Sequence, residues 1–462
     1  IESGAGLAVL DPHGDLADRL LGIIPEGRTS DVVLLDPGDE DYSIPFNILE
    51  AHGDLEKNLL ASDLVSVFRR LSTAWGDQMG SVLQNAILAF LESSQGGTLA
   101  DLRRFLIEPG FRDRFLTTVR DPDIVYYWQQ GFTQLTGNKS IGPVLTRLET
   151  FLSPKPIRYM VSQPGNRLDF SRIMDEGKIF LATLSQGLLG RENSFLLGSL
   201  LVSKFQQLAM ARQRQTQAAR RDFAVFIDEF HNFISPSMAE ILSGARKYRI
   251  GLVLAHQELR QLQRDSEVAS AVLSNSGTRV CFRVGDEDAR KLADGFSFFE
   301  ARDLQNLGTG EAICRVERSD FDFNLRVDLP PEGDETTQAE RRTHVVQASR
   351  LTYGTSRRDV EATLREKPGT SDEPCVRPEP PSRPEEPAIV AVQLPPEAAT
   401  PTVPVEPSVP EPSQEETIPP DTERSGPKPP PEPKAMGKGG AQHRLIQERL
   451  KSVAQGLGFK VT

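Results

Sequence analysis

Phe223-Ala224-Val225-Phe226-Ile227-Asp228-Glu229 is the stretch from which the fold can be read. An apolar run, mostly aromatic and β-branched, passes directly into two adjacent carboxylates. A strand with one wet face alternates apolar and polar residues. An unbroken apolar run instead fits a central strand of a parallel sheet, covered on both faces. Leu7–Leu10, Val32–Leu35, Lys178–Leu184, Gly251–Ala255, Thr278–Val284 and Glu311–Val316 read the same way. Helical patterns separate these runs, and such alternation predicts an α/β architecture: a mostly parallel sheet flanked by helices. Residues 54–175 break the rhythm. Leu55–Leu71, Met79–Leu91, Leu99–Ile107, Phe111–Val119 and Ile141–Phe151 all carry helical spacing. They predict an all-helical domain inserted between two strands of the core.

Composition divides the rest. The core is expected over 1–53 and 176–330. Residues 331–440 hold 20 acidic and 13 basic residues, and 21 of the 34 prolines fall between Pro368 and Pro433. Such a stretch buries too little apolar surface to offset its ordering entropy, so a disordered Pro/Glu-rich linker is expected there. Residues 441–462 regain pattern: Leu445, Ile446, Leu450, Val453 and Leu457 fall on one helical face, and a strand begins near Phe459. The three cysteines, Cys281, Cys314 and Cys375, lack metal or redox spacing, which suits a reducing compartment without structural zinc. No apolar run approaches the ~20 residues of a membrane span. The net charge of −12 argues against a free-standing basic DNA-binding domain. It leaves room for a ring with basic groups only along its pore.

At the carboxyl edge of a parallel sheet, side chains project into the crevice where ligands bind. A strand tip ending Asp228-Glu229 suits phosphoryl transfer: the first acid holds Mg²⁺, usually through water, and the second positions the attacking water. Read alone, the pair is equally a strand ending in a polar turn. The next apolar run ends in His256-Gln257, and the Gln257 amide could bond the attacking water or a terminal phosphate. A helix over Met238–Arg249 lies between the two runs. Arg246 near its end could reach a neighbouring subunit's nucleotide, or could simply be a solvated base favoured by the helix dipole. Leu7–Leu10 leads into Asp11-Pro12-His13-Gly14-Asp15. There Asp11 or Asp15 could help hold Mg²⁺ and His13 could touch a nucleotide. The competing reading is a turn shaped by Pro12 and Gly14, with Asp15 as N-cap of the next helix. The basic segment Arg212–Arg221 could contact phosphates, but reads more readily as a solvated loop.

Taken in order, these motifs resemble a family. Val9-Leu10-Asp11-Pro12-His13-Gly14-Asp15-Leu16, Asp31–Pro37, Pro45-Phe46-Asn47-Ile48-Leu49, Phe226–Phe230, Ala245-Arg246-Lys247-Tyr248 and Ala255-His256-Gln257 look like conjugative coupling ATPases. These are the TraD/TraG-like motors of type IV secretion, within the HerA/FtsK superfamily of RecA-like P-loop enzymes. The resemblance spans about residues 1–330. It implies ATP and Mg²⁺ as cofactors, a homohexameric ring, and DNA passing through its pore. It also implies a relaxase or secretion-channel partner and a cytoplasmic position, with inner-membrane attachment through a segment upstream of Ile1. By motif match Asp228 and Glu229 take the Walker B roles, Gln257 the sensor role and Arg246 that of a trans-acting finger. His256 departs from the Ser or Thr common in relatives. No Gly-x-x-x-x-Gly-Lys-Ser/Thr occurs in the chain. The resemblance places that motif just upstream of Ile1, so the 462 residues alone are expected to bind and hydrolyse ATP poorly. Two other readings remain: a HerA-like repair translocase working with a nuclease, and a non-hydrolysing DNA- or protein-binding ring or adaptor.

Overall fold

Five of the apolar runs pair into one parallel sheet. They are β1 (Gly6–Asp11), β2 (Val32–Leu35), β3 (Ile179–Thr183), β4 (Phe223–Ile227) and β5 (Ile250–Leu254), in the order β2-β3-β1-β4-β5. This computed structural model describes residues 1–366, except 52, 71–74, 136–140, 235–237, 239–240, 243, 265, 319 and 329–332. The expected element at 441–462 and most of the expected linker lie outside the described residues.

Alternate residues of each strand enter different cores, which is why the runs are apolar throughout. Ala8, Leu10, Val33, Phe180, Val225 and Ile227 pack with the helices on one face. Leu7, Val9, Val32, Leu34, Ile179 and Leu181 pack on the other, against helix α1 (Asp15–Gly22) and Val345. The first face carries the long helix α2 (Arg191–Ala211), buried nearly all round, and the helices that follow Asp54. Those helices include Asp54–Arg70, Asp77–Glu92, Leu99–Ile107, Ile141–Leu152 and Lys155–Val161. Their own core is aromatic: the Phe90 ring stacks 4.3 Å from Phe115, and Trp128 stands edge-on to Phe105 at 4.8 Å.

Three expectations need correction. Thr278–Cys281 and Glu311–Val316 do not join the parallel sheet. With Asp322–Arg326 they form a separate antiparallel sheet, in the order of those ranges β6-β7-β8. Their runs contain Arg279, Arg283 and Arg315, and exposed Val280 marks a face open to solvent. Next, β5 pairs only with β4 among the described residues, and Gly251 and Val253 are exposed, so it is not covered on both faces. Finally, order continues past residue 331. Helix α3 (Glu335–Tyr353) caps the edge of β2, where the Leu34 N–H donates to Ser349 Oγ at 2.9 Å and Arg350 grips Asp39 through two 2.7 Å bonds. Arg357–Glu366 follows as a further helix, α4. Their buried apolar residues are few, Val345 and Val360 among them, so apolar periodicity does not reveal them. Among the described residues no helix is long and apolar enough to cross a membrane.

Candidate active site

Parallel register sets the strand tips side by side: Leu10 pairs with Ile227, and Ile227 with Leu254. The ladder continues one step beyond the strands. The Asp228 N–H donates to the Leu10 carbonyl at 3.1 Å, Ala255 N–H to Ile227 at 3.0 Å, and Phe230 N–H to Ala255 at 2.9 Å. The acidic pair is thus clamped between β1 and β5.

Glu229 adopts φ 44° and ψ 46°, a left-handed conformation that costs a non-glycine residue about 1–2 kcal/mol. The clamp on either side holds it there, and the residue is buried at 7% exposure. Its Oε1 accepts a short hydrogen bond from Gln257 Nε2. Its Oε2 lies 3.2 Å from His231 Nδ1, without hydrogen-bond alignment. The Glu229 N–H donates to Asp228 Oδ1 at 3.0 Å. Burial raises the Asp228 carboxyl above the ordinary carboxylate range. The Glu229 N–H opposes this, the charges of Glu229 and Asp11 add to it, and His13 offsets part. A half-buried acid beside two others is a place where a cation relieves repulsion. Among the described residues no cluster of three or more His, Cys, Asp or Glu could cage a metal. The donor set therefore fits an ion held by one carboxylate, water and a phosphorylated ligand, as Mg²⁺ commonly is.

Asp11 has a different job. Its Oδ1 accepts from the His13 N–H and its Oδ2 from the Ala17 N–H, both at 2.9 Å. It is 1% exposed and caps α1 from outside the helix. The expected N-cap at Asp15 is thus corrected: Gly14 holds that position at φ 96°, and Asp15 is exposed in the first turn. A Cβ on Gly14 would sit 3.1 Å from Thr183 Cγ2, so both conformation and space favour glycine. His13 is exposed at the mouth of the turn.

Arg246 is not brought to this edge. It is exposed on the short 3₁₀ turn Ala245–Tyr248, just before β5 begins, whereas Gln257 follows where β5 ends. Five strand residues span about 16 Å, so within one chain the guanidinium and Glu229 occupy opposite edges. The expected helix over Met238–Arg249 is only partly within the described residues.

Most of Arg212–Arg221 is exposed loop, as expected, but Arg212 and Arg220 are tied down rather than solvated. Arg212 is 3% exposed, bonds Asp175 at 2.9 and 3.1 Å, and donates to the carbonyls of Arg221 and Tyr248. Arg220 donates to the carbonyls of Arg212, Gln215 and Lys247. Backbone carbonyls absorb these arginines, and residue spacing gives no sign of that.

Two positions, one beside Glu229 and one against the segment that follows it, escape notice in the sequence. His231 follows it by two residues and meets its carboxylate. Gly198 on α2 lies against Phe233, and a Cβ there would fall 2.2 Å from the ring. A glycine inside a helical pattern, where alanine is the better helix former, is the available signal.

Residues 222–296, which contain Asp228, Glu229, Arg246 and Gln257, match the family described as the TraM recognition site of TraD and TraG. No curated protein matches the chain in sequence. Among solved structures the chain is similar to the plasmid coupling protein TrwB in complex with ADP and Mg²⁺, with TM-score 0.52 and 15% identity over 73% of this chain and 82% of that one. TrwB in complex with the non-hydrolysable GTP analogue GDPNP gives TM-score 0.52 and 15% identity over 72% and 81%. The chain therefore carries a segment that matches the TraD and TraG family model, on a fold similar to that of TrwB.

Proposed function

We propose that this chain is the motor body of an ATP-driven coupling protein that moves DNA through a homohexameric ring during conjugation or type IV secretion. The observation that carries the reading is the placement of Asp228, Glu229 and Gln257 at adjacent strand tips, inside the segment that matches TraD and TraG. Asp228 would hold Mg²⁺, which supplies charge neutralisation for the phosphates when bound with ATP. Glu229, fixed by Gln257, would orient the attacking water and draw on its proton. Gln257 would sense whether a terminal phosphate is present through the same amide that holds Glu229. Arg246 would serve the site of a neighbouring subunit, since its own lies at the far edge of the sheet. Asp11, with both oxygens engaged, would shape the crevice and tune Asp228, while His13 and Asp15 at its mouth are placed to meet the nucleotide. A relaxase or its DNA complex is the partner class that suits such a pump, working at the cytoplasmic face of the inner membrane.

The 462 residues contain no glycine-rich phosphate loop ending in Lys-Ser/Thr, and backbone N–H groups of such a loop supply most of the phosphate cradle. This chain by itself is therefore expected to bind ATP weakly; micromolar affinity by isothermal titration would contradict that. The motor reading is tested in the full-length protein by ATP turnover with and without DNA. DNA-stimulated turnover, with displacement of a roadblock bound to the DNA, is expected. DNA binding without any turnover would contradict the motor and favour a passive ring.

A further inference from the structure

Away from the strand tips, the antiparallel sheet sets two arginines directly opposite each other: Arg279 on β6 pairs in register with Arg315 on β7. Both guanidiniums converge on Gly295. A Cβ built there would lie 2.8 Å from Arg279 Nη1 and 3.4 Å from Arg315 Nη1. Like charges directly opposite on antiparallel strands repel. Each guanidinium has five N–H donors, and each donates to one backbone carbonyl: Arg279 to Leu273, and Arg315 to Gly295 at 2.7 Å. No carboxylate forms an ion pair with either one among the described residues. Asp322, which faces Arg315 across β8, accepts instead from the Ser297 N–H at 2.5 Å. Among the described residues the two converging cations are thus left without an ion-pairing carboxylate, although Asp322 stands in register with Arg315. Burial, and then the charge of Arg315, lower the Arg279 pKa, so the pair is held against its own repulsion. Two exposed aromatics flank the pair in sequence, Phe282 one residue past β6 and Phe298 three residues past Gly295, at 50% and 57% exposure.

We propose that Arg279 and Arg315 form a phosphate-binding site, with the fork donors of both guanidiniums on one tetrahedral anion. Paired forks suit the oxygens of a phosphate better than a lone ammonium does. A single-stranded nucleic-acid backbone is one source of such a phosphate and free inorganic phosphate another, and the two arms of the test separate them. The site is separate from the Asp228–Glu229 crevice and does not rest on the motor reading.

The test is fluorescence anisotropy of the whole 462-residue chain with labelled oligothymidylate at several salt concentrations. Each phosphate contact on a single strand contributes about 0.7 to the salt slope. With both arginines on one phosphate, the Arg279→Gln/Arg315→Gln variant should therefore flatten the slope by about 0.7 and weaken binding roughly tenfold at low salt. The Arg279→Lys/Arg315→Lys variant keeps the charge and should keep most of the slope. It also reads the charge effect if the Gln pair fails to fold. In a second arm, inorganic phosphate is titrated and followed by ³¹P line broadening. Phosphate binding lost in the Gln pair, with oligonucleotide binding untouched, would support the site and assign it to free phosphate. Unchanged slope, unchanged oligonucleotide affinity and unchanged phosphate binding in the folded Gln pair would overturn the proposal. Loss of the whole slope in the folded Lys pair would do the same.

Discussion

Where the strands of the parallel sheet begin, Arg28, Arg212, Arg220, Arg221 and Arg249 reach across the chain and donate to carbonyls of Ile1, Ala5, Gly177, Tyr248, Lys247, Glu176, Gly4 and Arg220. Where the same strands end stand acids instead: Asp36 at one strand tip, and Asp228 and Glu229 together at another. Burial raises the first two, and the third is held in a left-handed turn. The beginning of the sheet spends its charge on closing the backbone. The end keeps charge under tension, with a carboxylate oxygen of Glu229 and the Asp228 carboxyl still able to gain a partner. Charged residues that are already satisfied are scaffold, whereas buried acids held apart from a counter-ion mark the place where a ligand completes the structure.

The strongest way to break this contrast is at the satisfied edge. Arg212→Ala removes a buried guanidinium and strands Asp175 and two carbonyls. It should cost about 3 kcal/mol in urea unfolding and leave turnover per folded molecule of the full-length protein intact. A fall in turnover with no loss of stability would erase the distinction between edges. At the other edge, Gln257→Ala should lower ATP turnover about 30-fold, on the order of 2 kcal/mol of barrier, with little change in melting temperature. Gly198→Ala joins the two: the added methyl presses on Phe233 and should cost about 1–3 kcal/mol by overpacking. Phe233 follows Glu229 by four residues, so the shift should reach the acidic turn and turnover per folded molecule should fall as well. If only stability changes, Gly198 belongs to the scaffold alone.

The smallest effect carries the opposite sign. The folded Asp228 carboxyl binds its proton more tightly than the unfolded one. Between the ordinary carboxylate pKa and the raised folded value, the folded state holds more protons, so stability falls as pH rises through that window. At neutral pH the full penalty remains. Asp228→Asn removes it and should raise the melting temperature by about 1–2 °C, while below the ordinary carboxylate range the two proteins should converge. A lower melting temperature in the variant would show that Asp228 is scaffold.

The strand tips were legible because a covered parallel strand has little freedom in composition, and Asp228-Glu229 ends one abruptly. Gln257 was legible because the neighbouring strand ends in register. Asp11 was ambiguous: an acid after a strand reads alike as ligand holder or cap, and only the bonds from His13 and Ala17 separate the two. The arginine web and α3 were not legible, since Arg212, Ser349 and Arg350 act through carbonyls, an N–H and a carboxylate distant in the chain. Arg279 and Arg315 lay hidden in runs that looked like further parallel strands, and only the antiparallel register sets them opposite each other.

The claim that the acidic strand tip is a hydrolytic centre meets its most direct test in Glu229→Gln, made in the full-length protein and followed by ATP binding and single-turnover hydrolysis. Near-normal ATP affinity with hydrolysis reduced about 100-fold or more is the predicted result. Hydrolysis at the unsubstituted rate, with DNA stimulation intact, would contradict it.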